Sequence, residues 1–216
     1  MKITDKITIT NEDNIELMAR YPDNYFDLAI VDPPYGINIA NKGNGSMTLT
    51  KHKYINHLKK NWDKKIPEKN YFDNLFRVSK NQIIWGGNYF VNYLPISMGW
   101  IFWDKGQREF SLSDGELAFT SFNKKLRVCK YTRGKAMSEK TNKIHPTQKP
   151  IGLYKWILEK YAKKNDKIID TNLGSGSIAI ACHDYGFDLT ACEIDKDYFD
   201  LSIKRIKNHI KQTKLF

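Results

Sequence analysis

The chain has 216 residues, enough for one sizeable domain with at most a small inserted lobe, and its 35 Lys and Arg outnumber its 24 Asp and Glu. The resulting formal net charge of +11 points to a polyanionic partner. No apolar run is long enough to span a bilayer, the amino-terminal residues carry no signal-peptide pattern, and Cys129, Cys182 and Cys192 are too few and too scattered for a disulfide framework or a zinc site; the expectation is a reducing, cytoplasmic protein without metal.

Ile7-Thr8-Ile9-Thr10 predicts a short strand. Asn11 to Asn14 offers helix caps ahead of Ile15, Leu17 and Met18, and the turn cluster Tyr21-Pro22-Asp23-Asn24 ends that helix. Asp13 reads either as the helix N-cap or as a ligand contact. Leu28-Ala29-Ile30-Val31 is a continuous apolar run, as expected of a buried strand. Asp32-Pro33-Pro34-Tyr35 follows it. Proline has no N–H for the ladder, so two in succession take the chain out of the sheet in an extended turn. A carboxylate and an aromatic ring are thereby presented at a strand's carboxyl end, where open α/β sheets bind ligands. Asp and Pro also favour ordinary exposed turns, so that reading stands beside the functional one.

Residues 36–69 show weak periodicity and form a probable substrate loop, well placed to close over a ligand after the Asp32 turn. From Lys51 to Lys69, seven lysines face only Asp63 and Glu68, with His52, Tyr54, His57 and Trp62 interleaved. Such a run is either solvated surface or a substrate-facing one. Tyr71, Phe72, Leu75, Phe76 and Val78 carry a helical period. Gln82 to Trp85, Trp100 to Trp103, Glu116 to Thr120 and Leu126 to Cys129 read as strands. The alternation of strands and helices predicts a mostly parallel α/β sheet, with an antiparallel edge from the closely spaced later strands. Residues 124–145 read as a probable DNA-recognition loop, because nine Lys or Arg between Lys124 and Lys149 meet a single acid, Glu139. Lys130, Arg133 and Lys135 are its candidate phosphate contacts, and a disordered solvated connection is the alternative.

His145-Pro146-Thr147-Gln148-Lys149-Pro150 opens a helix whose apolar face is Ile151, Tyr154, Ile157, Leu158 and Tyr161. Ile168-Ile169-Asp170 is a strand, Thr171 to Gly176 a glycine-bearing turn, and Ser177 to His183 a helix. Glycines here let backbone approach a ligand closely, and the helix amino end favours electron-rich groups. The next strand, Leu189 to Cys192, ends at Glu193, close to the ~20 residues after the turn at which doubly wound folds place a ribose-binding acid. No Walker lysine is present. A last amphipathic helix packs Phe199, Ile203, Ile206 and Ile210 inward, with Lys204, Arg205 and Lys207 outside.

In this order, Asp32 to Tyr35, His145 to Pro150, Asp170 to Gly176 and Glu193 resemble the circularly permuted DNA amino-methyltransferases of the beta group. The resemblance covers nearly the whole chain and implies a Rossmann-like methyltransferase fold in one domain, 1–216, with S-adenosylmethionine as methyl donor. It implies double-stranded DNA as substrate, a possible restriction endonuclease counterpart and a possible homodimer. By match to the family's motifs, Asp32, Pro33, Pro34 and Tyr35 are the catalytic turn. Asp170, Gly174 and Gly176 form the cofactor loop, and Glu193 grips the ribose. Asp13 lies near the adenine of the cofactor, and Thr147, Lys149 and Pro150 line its methionine end. The family commonly has Pro-Phe after the first acid of the loop; this chain has Thr171-Asn172, so that aromatic contact is not supplied there.

The resemblance also implies the chemistry. Asp32 and the Pro33 carbonyl accept the two N–H bonds of a weakly nucleophilic amine, while orientation and electrostatics supply the rate. Tyr35 stacks on a base flipped from the duplex. Asp at the first position of the turn favours N6 of adenine, where cytosine-N4 enzymes more often have Ser. The rival readings are a cytosine-N4 methyltransferase, a methyltransferase acting on a protein glutamine, and a DNA-binding protein with a vestigial cofactor site.

Overall fold

The short apolar runs of this chain become strands, and they join into one eight-stranded sheet. The computed structural model describes residues 1–39, 60, 62–108, 113–139 and 143–212. In chain order the elements are β1 (Ile7–Thr10), α1 (Asn14–Ala19), β2 (Leu28–Val31), α2 (Lys69–Val78), β3 (Gln82–Trp85), β4 (Trp100–Asp104), β5 (Gly115–Thr120) and β6 (Arg127–Lys130). They continue with α3 (Arg133–Ser138), α4 (Ile151–Tyr161), β7 (Lys167–Asp170), α5 (Ser177–Tyr185), β8 (Asp188–Cys192) and α6 (Lys196–Lys211). The sheet order is β1-β8-β7-β2-β3-β5-β4-β6. Only β5 runs against the others.

β2 and β3 are buried along their whole length and lie inside the sheet, as their unbroken apolar runs require. Helices cover both faces, giving two apolar clusters, one centred on α4, α5 and α6 and the other on α1 and α2. The expected inward positions of α4 are all buried, with Leu153 added. The antiparallel strand does not sit at the edge, contrary to expectation. β5 lies between β3 and β4 because Ala118 and Phe119 are fully buried and need cover on both faces. The edge falls to β6, whose Arg127, Val128 and Lys130 face solvent. No described helix is long and apolar enough to cross a membrane.

β1, β2, β7 and β8 are mutually parallel. Their carboxyl ends share one rim, so the chain leaves β2 at Asp32, β7 at Thr171 and β8 at Glu193 on the same side. Most of the expected substrate loop, including His52, Tyr54 and His57, lies outside the described residues.

Candidate active site

The Asp32 turn is held by contacts on every side. Tyr35 Oη donates to Asp32 Oδ1 at 2.6 Å. The Tyr35 ring packs over Gly86, where a Cβ would lie 2.2 Å from it, so the left-handed glycine after β3 is required there. Its ring also stacks on Tyr89, with centroids 4.9 Å apart and planes at 13°. Asp63 fixes the exit from the turn. Its carboxylate, 1% exposed, accepts the backbone N–H groups of Tyr35 (2.8 Å), Gly36 (2.9 Å) and Ile39 (2.8 Å).

Lys149, expected beside the methionine end of the cofactor, lines the cavity and carries its ammonium to Asp32. Its side chain is 4% exposed, and Nζ lies 2.6 Å from Asp32 Oδ2 and 3.1 Å from Glu116 Oε2. Glu116 Oε1 in turn pairs with Lys105 Nζ at 2.6 Å. The cluster contains two carboxylates and two ammoniums, brought in by β2, β5, the β4–β5 connection and the approach to α4. Burial pushes the Asp32 carboxyl above the usual carboxylate range and Glu116 adds to this, against the pull of Lys149 and Tyr35. Burial disfavours the Lys149 charge, but Asp32 and Glu116 together hold the ammonium above its ordinary value. Burial also opposes ionisation of Glu116, yet Lys149 and Lys105 hold it below the carboxylate range. Burial, Asp32 and Glu116 keep the Tyr35 hydroxyl protonated.

A cavity opens beside this cluster, and Asp32, Pro34, Thr147, Lys149, Gly174 and Glu193 all line it. Gly174 has φ +54°, and a Cβ there would make ordinary contact with the His145 ring at 3.8 Å, so its face is uncrowded and shared with that ring. Its N–H donates to Glu193 Oε2 at 2.8 Å, and Glu193 Oε1 accepts the Asp195 N–H at 2.9 Å. Each oxygen retains a lone pair for a further donor. Burial pushes the Glu193 carboxyl up, and these N–H groups oppose it.

The other expected cofactor residues stand back from the wall. Asp13 caps α1, accepting the Ile15 N–H at 2.7 Å, as one of its two readings required. Pro150 is the N-cap of α4. Asp170 is buried and accepts the Asn172 N–H at 3.0 Å; burial pushes its carboxyl up to about 8, with that N–H opposing. Gly176 serves packing: a Cβ there would stand 2.8 Å from Ile206 Cδ1 of α6. Arg205, expected outside, lies beneath this turn and donates to the Ser175 carbonyl at 2.7 Å. In place of the family's Pro-Phe, Thr171 and Asn172 form a polar knot with Tyr71 Oη, 2.8 Å from Thr171 Oγ1 and donating to Asn172 Oδ1 at 3.0 Å. Aromatic rings reach the cavity from elsewhere: His145 lies 5.1 Å from Trp62 and 4.3 Å from Tyr198, centroid to centroid.

The basic segment is partly regular. Arg133 to Ser138 form a short helix, capped by Thr132 and burying no residue, where an irregular loop was expected. The absence of any inward-facing residue explains why no helical period marks it. Lys130, Arg133 and Lys135 are exposed. Glu139, the lone acid of the stretch, caps α4 by accepting the Ile151 N–H (2.9 Å) and the Gly152 N–H (2.8 Å). Sequence reasoning missed Glu116, Lys105 and Asp63. A single charged residue in a strand or lysine run has no motif around it; rarity of acids in the basic runs was the one signal for Asp63.

Comparison with known proteins places these features in a family. A family model described as DNA methylase matches residues 84–204. A type II methyltransferase of Moraxella bovis, M2.MboI, is 25% identical over 249 aligned positions, covering 92% of this chain and 89% of that protein. Among solved structures, M1.HpyAVI in complex with SAM matches with TM-score 0.61 and 18% identity, covering 92% of this chain and 98% of that one. The cytosine-N4-specific PvuII DNA methyltransferase matches with TM-score 0.59 and 13% identity, covering 96% and 93%.

Proposed function

This chain belongs to the DNA methylase family, and on that premise we propose that the amine it methylates is N6 of adenine in double-stranded DNA. The observation that carries this reading is the Asp32 turn: a carboxylate at a strand end, sharing one cavity wall with Gly174 and Glu193. The methyl donor is S-adenosylmethionine, and the cavity suits it. Gly174 lines the cavity without a side chain, which lets a ligand lie against its backbone. Glu193 has lone pairs for the ribose hydroxyls, and His145, Trp62 and Tyr198 provide flat apolar contact.

When bound, the cofactor supplies an already activated methyl group, so the protein needs only to present and polarise the amine. Asp32 accepts one amine N–H, and the Pro33 carbonyl the other. Withdrawing both protons toward oxygen localises the nitrogen lone pair and turns it toward the cavity. A flipped base reaches Asp32 past Tyr35, entering where the exposed Tyr89 ring now stacks. Lys130, Arg133 and Lys135 are exposed on α3 and the edge strand, as phosphate contacts would be, and Lys64 and Lys65 line a hollow beside Tyr35. The similarity to M2.MboI, a type II methyltransferase, supports a place in restriction and modification for this chain, with a restriction endonuclease as counterpart.

The test is product analysis. Purified protein, S-adenosylmethionine and duplex DNA are incubated, and the digested nucleosides are separated by mass spectrometry. N6-methyladenine is expected. N4-methylcytosine as the sole product overturns the adenine assignment.

A further inference from the structure

We infer that Glu116 is a positioning residue for methyl transfer: it is the second seat of the Lys149 ammonium, occupied while Asp32 receives the amine. The inference rests on the reading of Asp32 as the amine's acceptor. Both Asp32 oxygens are engaged in the free protein, Oδ1 by Tyr35 Oη at 2.6 Å and Oδ2 by Lys149 Nζ at 2.6 Å. Each oxygen keeps a second lone pair, but an amine that shares one with an ammonium is polarised less, so the full pull of Asp32 on the amine requires a donor to step back. Tyr35 is pinned by its ring's close approach to Gly86, which does not depend on the Tyr89 stack. Lys149 is the donor with somewhere to go. Glu116 Oε2 lies 3.1 Å from Nζ, yet it is buried and has no aligned hydrogen bond.

Charge balance makes this second seat necessary. An ammonium that leaves Asp32 inside the protein is strongly disfavoured unless another anion takes it. Glu116 takes it over a small displacement, and Lys105, 2.6 Å from the other Glu116 oxygen, keeps the cluster neutral in either seating. Glu116 stands outside the cavity wall, so it acts through Lys149 rather than on a ligand. Among the described residues, other groups whose fields reach Asp32 are Tyr71 of α2, Tyr154 of α4 and Asp170 of β7. Burial keeps both tyrosines neutral. None of the three belongs to the relay.

Glu116→Gln tests it, keeping the shape and removing the second seat. Lys149 then rests on Asp32 alone, and the single-turnover transfer rate falls about 10- to 100-fold. Cofactor affinity, measured by calorimetry without DNA, stays within about twofold of the parent. The acid limb of the rate moves to lower pH, because Asp32 must be ionised to accept the amine and Glu116 raises its carboxyl. The carboxyl-carbon NMR titration of Asp32 in cofactor-free protein moves the same way, and this readout needs no turnover. Glu116→Asp, which keeps the charge, returns the titration toward its parent position. An unchanged rate in Glu116→Gln overturns the inference. So does a lower rate with both the limb and the Asp32 titration unmoved, which leaves Glu116 as a support of the fold. If the parent methylates cytosine, the adenine assignment falls while the same comparison on that amine still decides the role of Glu116. Transfer that survives Asp32→Ala removes the premise instead.

Discussion

The two walls of the cavity are made of different materials. The cofactor wall is backbone: Gly174 exposes its main chain to the cavity, and Glu193 is held by two N–H groups from the turns around it. Gly174 and Glu193 come from one βαβ unit, β7-α5-β8, and the rings of His145, Trp62 and Tyr198 are added from outside it. The acceptor wall is side chain: Asp32 and Lys149 line it, and Glu116 and Lys105 stand behind them, so that ions from four separated segments meet with little access to solvent. Backbone shape is set locally and tolerates few side chains, whereas an ion cluster is set by the whole fold and tolerates little change in charge. The first wall is built to hold a ligand, and the second to be rearranged by one.

Asp32→Ala breaks the acceptor wall alone and has the largest expected effect. Transfer falls by about 10³-fold or more, read in single-turnover assays with labelled cofactor. The fold survives, because Lys149 retains Glu116 as counter-ion. Gly174→Val breaks the cofactor wall. Its φ of +54° is strained for a β-branched residue, and the new side chain projects into the cavity. The KM for S-adenosylmethionine rises about 100-fold, while DNA binding in filter or anisotropy assays is retained. The smallest effect comes from replacing Lys130, Arg133 and Lys135 together by Ala, outside both walls. DNA affinity weakens, and the log–log salt slope drops by about 0.9 for each phosphate no longer neutralised, at unchanged cofactor affinity. An unchanged slope returns this segment to solvated surface and leaves Lys51 to Lys69 as the better DNA-facing candidate.

The same contrast decides what was legible beforehand. Strands such as Leu28 to Val31 and Ile168 to Asp170 were readable because their apolar runs are continuous and end at turn residues. The turn at Gly174 and the strand end at Glu193 were readable because a strand, a glycine turn and an acid follow one another along the chain. The position of β5 inside the sheet was not, since it depends on which faces of Ala118 and Phe119 find partners. Nor was the pairing of Lys149 with Asp32, 117 positions apart, which no local pattern encodes. Asp13 and Gly176 occupy motif positions and also serve the fold, one as a helix cap and the other through the close approach of Ile206.

The division between the walls is tested most directly by calorimetric titration of S-adenosylmethionine onto Asp32→Ala and Gly174→Val, beside the parent protein and without DNA. Asp32→Ala is expected to bind with a Kd within about twofold of the parent although it transfers no methyl group, and Gly174→Val to give no binding heat. Equal loss of binding in both variants would contradict the account, because the acceptor carboxylate would then be part of the cofactor site.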